Sequence, residues 1–249
     1  MRILYRSMIS LVLLLMTSSL LFSQEPVKKK VFNIGADLMS RYYWRGTCLS
    51  KNPNIQPTIY YEAPFGLKAG AWGSYDFSGN YAEADLFLAY AYKGASLTIN
   101  DYFVMNEGLG NNRYFVYDNE STGHQFEVQL AYDGPEKFPL HVLAGTIVYG
   151  ADKKQDEMLI DTVSMDTTIT YKNQYSTYIE LGYTIRNFSL VVGFTPMEGM
   201  YGNTLGVINL GLTARKEIRI TDKFSLPCQA SVFMNPQKHN IHLVFGITL

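Results

Sequence analysis

The sequence predicts an all-β protein: a transmembrane antiparallel up-and-down β-barrel of about twelve strands behind an N-terminal signal peptide. Three observations predict it. Segment after segment alternates apolar and polar residues with period two, the signature of strands with unlike faces. The connections between these segments alternate between short and long. Aromatic residues gather at both ends of the apolar faces, where a membrane-water interface favours them. A soluble sandwich also alternates, but has no reason to alternate its loop lengths.

The first alternating stretch, 32–45, puts Phe32, Ile34, Ala36, Leu38, Tyr42 and Trp44 on one face. Asn33, Gly35, Asp37, Arg41, Tyr43 and Arg45 fall on the other. It is longer than the usual strand of about five or six residues, and its apolar face ends in aromatic rings. Ahead of it, Arg2 and Arg6 precede an apolar run over 8–22 and a small residue, Ser23. That is the arrangement of a secretory signal peptide over 1–23. The expected divisions are then the signal peptide, a periplasmic segment at 24–31 and a barrel over 32–249.

Removing 1–23 takes away two of 21 basic residues and none of 22 acidic ones, leaving 19 − 22 = −3. No concentrated basic face argues for nucleic acid. The chain carries 2 Trp, 19 Tyr and 14 Phe, a rich aromatic content for an exported protein. Cys48 in a loop and Cys228 on an apolar strand face are expected at different heights, so a disulfide is not expected.

Alternation recurs over 55–63, 67–77 and 82–92, then over 96–105, where Asp101 falls on the apolar parity and marks a bulge. It continues over 123–132 and 174–185, the latter being the cleanest in the chain, while the strand 138–149 between them is apolar on both parities. The remaining strands are 188–195, 204–220 with Ile208 on its apolar face, 224–235, and the closing strand through Ile241, Leu243, Phe245 and Ile247. With a periplasmic N-terminus the outer connections are 46–54, 78–81, 106–122, 150–173, 196–203 and 236–239. The inner turns are 64–66, 93–95, 133–137, 186–187 and 221–223. Short inner turns and longer outer loops on an even strand number are the pattern of bacterial outer-membrane barrels. The longest connection, 150–173, contains MLIDTVS and TTITYK, which could extend as a hairpin beyond the membrane.

This register places Trp44, Tyr75, Phe77, Tyr175 and Phe194 at the outer rim. Tyr90, Tyr92, Tyr132, Phe138, Tyr183, Phe188 and Phe224 fall at the inner rim. Pro57 and Pro139 sit near strand ends, and Pro227, lacking a ladder donor, implies a second bulge.

The segments SRYYWRG (40–46), GLKAGAWGS (66–74) and EADLFLAY (83–90) resemble the TorF-like porin family of conserved hypothetical outer-membrane β-barrel proteins. The resemblance is best over 34–103 and looser beyond, including the closing IHLVFGITL. It implies a porin-like channel in the bacterial outer membrane. Outer-membrane lipid and lipopolysaccharide, the barrel-assembly machinery and a small polar solute are the expected partners. Two departures stand out: 150–173 is longer than the family's usual connection, and the chain ends in Leu249 rather than Phe.

The inward parity carries the expected pore-lining residues Asp37, Arg41, Arg45, Glu62, Lys68, Trp72, Asp76, Glu83, Asp85, Glu127, Glu180, Asn209 and Arg215, with Gln56, Asn100 and Gln229 beside them. Charges facing a lumen set ion selectivity, and here acids outnumber bases, so a weak cation preference for small polar solutes or ions is expected. The same residues could instead pair into a filling for a narrow barrel. Two other readings compete. One is a non-conducting scaffold or adhesin presenting 106–122 and 150–173. The other is a lipid hydrolase built on His124 with Ser121 and Asn119, although a compact His-x-Ser arrangement is absent. No catalysis, metal or cofactor is expected, since His/Cys metal spacing is absent and Gly108-Leu109-Gly110 follows no βα pattern.

Overall fold

The computed structural model describes residues 31–105, 112–160 and 167–249. The expected signal peptide, most of the segment after it and parts of two loops lie outside these residues. In chain order the strands are β1 (Val31–Met39), β2 (Tyr42–Trp44), β3 (Thr47–Ser50), β4 (Asn54–Glu62), β5 (Leu67–Asp76) and β6 (Ala82–Tyr92). Next come β7 (Ala95–Met105), β8 (His124–Asp133), β9 (Leu140–Gly150), β10 (Lys153–Ile160) and β11 (Thr167–Asn173). The last five are β12 (Thr177–Ile185), β13 (Phe188–Thr195), β14 (Gly206–Thr221), β15 (Phe224–Asn235) and β16 (Asn240–Thr248).

Twelve of them form one closed antiparallel barrel in the order β1-β4-β5-β6-β7-β8-β9-β12-β13-β14-β15-β16, with β16 returning to β1. Each wall strand pairs with the next wall strand in the chain, the up-and-down pattern the loop lengths predict. The seam is short: Asp37↔Thr248, Leu38↔Ile247 and Met39↔Gly246. The turns explain the tight end. Lys93 and Gly94, at φ 49° and 85°, close β6 onto β7 through Tyr92↔Ala95. Two consecutive positive φ values give the two-residue turn whose twist matches that of a hairpin.

Burial is inverted relative to a soluble domain. Only nine apolar residues among those described are buried, against eighteen polar or charged ones. Meanwhile Leu86, Leu88, Leu97, Ile99, Leu130, Leu181, Leu190 and Leu243 stand exposed on the outward parity. The expected rim aromatics Tyr75, Phe77, Tyr175, Tyr90, Tyr92, Tyr132, Phe138, Phe188 and Phe224 also stand exposed.

Four expectations need correction. The first strand does not run to Arg45; it stops at Met39, and Tyr42–Trp44 pairs with Thr47–Ser50 as a separate hairpin. Tyr42 and Trp44 therefore leave the outward face. Asp101 makes no bulge, because Leu86↔Asp101 and Asp101↔Phe126 keep their registers. Pro227 makes none either: it lies in unbroken register opposite Glu217. The wall's registers shift instead at Phe126/Glu127, at Arg219/Thr221 and between Gly193 and Phe194, the last opposite Ile208, which turns inward and is fully buried rather than sitting on the outward face. The β10–β11 hairpin of the longest connection forms its own two-stranded sheet, as its alternation suggests. Asp152 fastens its base, accepting hydrogen bonds from the Ser176 amide (2.7 Å) and hydroxyl (2.6 Å).

Candidate functional site in the lumen

The interior divides into a half near the long connections, the loop end, and a half near the short turns, the turn end. The loop half is filled by the β2–β3 hairpin. Its tip is Arg45-Gly46, with φ 44° and 87°, so both residues adopt the left-handed conformation that a two-residue hairpin turn requires. A side chain at position 46 would also place its Cβ 2.1 Å from the Ile208 carbonyl oxygen, so only glycine fits. The Gly46 carbonyl accepts from Asn235 Nδ2 at 2.9 Å, tying the tip to β15.

Arg45 is the centre of this filling. Its guanidinium forks onto Glu127: Nη1 donates to Oε1 and Nη2 to Oε2 at 3.0 Å. The same two nitrogens donate to the Tyr201 hydroxyl (2.7 Å) and to Gln129 Oε1 (2.9 Å). Glu127 is fully buried and takes further bonds from the Tyr102 hydroxyl (2.7 Å) and Asn100 Nδ2 (3.3 Å). Burying two charges is costly unless their remaining donors and acceptors are matched. Here they are, and the rings of Trp44 (4.6 Å) and Tyr178 (4.9 Å) flank the guanidinium. Gly145 makes the room, since a Cβ there would meet Glu127 Oε1 at 2.4 Å.

The hairpin's other rings pack the wall. Tyr43 stacks on Phe233 at 4.4 Å and 13°; Tyr42 lies 5.4 Å from Trp72 and 5.7 Å from Tyr81. Where the hairpin returns to β4, Asp76 accepts from Ser50 Oγ (2.8 Å), Asn52 Nδ2 (3.1 Å) and the Ser78 amide (2.8 Å).

All thirteen expected lining residues lie inside the barrel or at its mouths, but not as one lining. Arg41 and Arg45 sit on the inward-folded segment, not on the wall. Glu83 and Asp85 are buried, Glu83 accepting from the Tyr81 hydroxyl (2.6 Å) and Asp85 from the Phe103 amide (3.2 Å). Glu180 accepts from the Tyr178 hydroxyl and lies 4.0 Å from His141. Asn209 is buried between Tyr178 (3.0 Å) and Tyr43 (3.4 Å). Glu62 and Lys68 face each other at 3.7 Å near the turn end, and Asp37, six residues further along β1 than the partner of Glu62, accepts from Thr248 (2.6 Å). Sequence reasoning missed Tyr201, a loop residue folded in to reach Arg45, and the role of Asn235. The Gly199–Gly202 bridge that bends the loop carries no periodicity to betray it.

The turn half is different. Beside the hairpin lies a cavity of about 230 Å³ lined by Arg41, Arg215, Gln56, Gln229, Thr213 and Ser231, with apolar residues between them. A second cavity of about 530 Å³ at the turn-end mouth shares Arg215 and Gln229 with it. The two cavities thus adjoin at Arg215 and Gln229, and the inner one also borders the hairpin through Arg41 and Tyr43.

His124 lies on the outward parity near the loop end, covered by Tyr114 and Tyr117. Its Nδ1 is 2.7 Å from Asp101 Oδ1 and its Nε2 2.5 Å from the Tyr114 carbonyl oxygen. Both ring nitrogens are engaged, and Ser121 gives its hydroxyl to Asp118 at 2.5 Å, so no nucleophile-base pair is assembled there. Comparison of the chain with protein families, curated proteins and solved structures found no match.

Proposed function

We propose that this chain is an outer-membrane, porin-like barrel whose lumen is shut at rest by its own β2–β3 hairpin. The inverted burial carries the membrane part. A closed barrel with a leucine- and isoleucine-rich outside and polar inside needs an apolar surrounding, and closure leaves no unpaired strand edge in it. The resemblance to TorF-like porins and the signal-peptide pattern agree with that location. The channel part is supported by the turn-end cavities, which lead from a polar mouth to a hairpin held by hydrogen bonds and rings. The cation preference expected from the inward acids does not follow from this geometry. Glu127 is neutralised by Arg45, and Glu83 and Asp85 are withdrawn from water.

Single-channel recording in planar bilayers tests the reading. The native chain should show rare, brief openings, and Arg45→Ala should show steady conductance. Silence from both would favour the competing reading, a non-conducting barrel that presents the β10–β11 hairpin.

A further inference from the structure

We infer that the turn half of the lumen is an oxyanion-binding site formed by Arg41 and Arg215. The inference begins from a contrast among three inward guanidiniums. Arg45 is saturated by a carboxylate, whereas no carboxylate among the described residues comes within 4.0 Å of Arg41 or Arg215. Arg215 has one hydrogen bond, from Nη1 to Ser189 Oγ at 2.7 Å. Arg41 has one long bond, from Nη1 to His242 Nδ1 at 3.5 Å. A guanidinium only donates, so Nδ1 offers its lone pair and the His242 proton sits on Nε2. That Nε2 and Arg41 Nε are both buried without a partner. Buried donors are nearly always satisfied, and two orphans beside an unneutralised cation call for an acceptor.

The cavity between the two arginines supplies the space. Its volume of about 230 Å³ exceeds that of several waters at roughly 30 Å³ each. Gln56 and Gln229 each keep a second amide hydrogen beyond those given to Asn54 and Met39, and the bonded Thr213–Ser231 hydroxyl pair keeps one, so donors remain around it. Two inward acids flank the cavity: Asp37, opposite the lining residue Gln56 and accepting from Thr248, and Glu217, two residues beyond Arg215 on the mouth side. Two forked cations with neutral donors suit the planar-edge geometry of phosphate or sulfate better than a spherical ion. A free phosphate fits the cavity itself; a phosphate carried on a small solute would extend past Arg215 and Gln229 into the larger mouth cavity.

The inference rests on the lumen being open to water from the turn end, not on conduction, so a binding measurement tests it separately from the gate. The probe is inorganic phosphate, titrated calorimetrically into the full-length chain in detergent micelles at low salt. One site per chain is expected. Arg41→Gln and Arg215→Gln should each weaken it about tenfold or more, as loss of a charge-assisted hydrogen bond does. Arg219→Gln, which removes an equal charge that is paired with Asp222 away from the cavity, should leave it unchanged. If either glutamine variant loses the β signal in circular dichroism, Arg41→Lys and Arg215→Lys take its place, with a smaller loss expected. Glycerol 3-phosphate binding more tightly than phosphate would assign the mouth cavity to the rest of a solute; equal binding would assign the site to the free anion. No binding by the native chain, full binding by the double variant, or an equal loss from Arg219→Gln would overturn the inference.

Discussion

The two halves of the lumen use the same residue types to opposite ends. In the loop half, Arg45 meets Glu127, the Tyr201 hydroxyl, Gln129 and three rings, while Glu127 takes two more bonds from Tyr102 and Asn100. In the turn half, Arg41 and Arg215 form no ion pair with an acid among the described residues, and a cavity remains. The difference lies in where the chain breaks its first strand. By turning inward at Ser40, it carries Arg45 across the barrel to β8 but leaves Arg41 near the wall it came from. A guanidinium in a barrel is thus a seal or a site according to the carboxylate within its reach, not according to its depth.

The largest break in this comparison is Glu127→Ala. It leaves the Arg45 guanidinium buried and unpaired, a change that costs about 3–5 kcal/mol. The hairpin should leave its seat, and the loop half should become as accessible as the turn half, read as steady single-channel conductance. Arg45→Met combined with Glu127→Met should reverse this, because apolar residues of similar volume replace a buried pair at little cost. A double variant as conductive as Glu127→Ala would show that packing does not hold the hairpin.

A second test asks whether inside and outside are assigned correctly. Leu88 and Thr98 lie at one height, one exposed outward and one facing the lumen. Leu88→Arg should cost about 2–4 kcal/mol, as a charge on the lipid face does near mid-depth. Thr98→Arg should cost clearly less, measured by denaturant unfolding in micelles or vesicles. Equal losses would break the membrane reading while leaving the barrel intact.

The smallest effect sharpens the loop end. The Ser121 hydroxyl and amide, with the Glu120 amide, hold the Asp118 carboxyl below the usual carboxylate range. A lowered folded value means stability that is present above about pH 4, the unfolded value, and fades as pH falls through the folded one. Amide exchange over 118–122 should therefore be slower at pH 7 than at pH 3, after correction for intrinsic rates. Asp118→Asn should remove the difference.

Most of the wall was legible because period two is a strong signal wherever one face is apolar. The alternation through Leu181 and Glu180, or Val128 and Glu127, assigns inside and outside without ambiguity. The hairpin was not legible for the same reason. Tyr42 and Trp44 keep the parity of Ile34 and Leu38, so the pattern continues past the point where the backbone leaves the wall. Arg-Gly is also a weaker turn signal than Asn-Gly or Asp-Gly. Parity likewise says which face a charge takes but not its partner: Arg45 and Glu127 are 82 residues apart, and only closure brings them together. His124 and Asp101, polar residues on an apolar parity, satisfied each other in a way that neither segment announces alone.

The place of the hairpin in the chain sets a condition on assembly. It is made with the first wall strand, yet it holds Glu127 from the middle of the chain and Asn235, 189 residues beyond Gly46. Tyr42 and Trp44 meet early partners in Trp72, Tyr81 and Tyr102, but Tyr43 stacks on Phe233 and Trp44 also meets Tyr201, both much later in the chain. The three-pair seam between β1 and β16 likewise joins the two ends of the barrel. Such long-range pairing is slow and prone to aggregation. The segment that fills one half of the finished barrel is therefore made first and satisfied last.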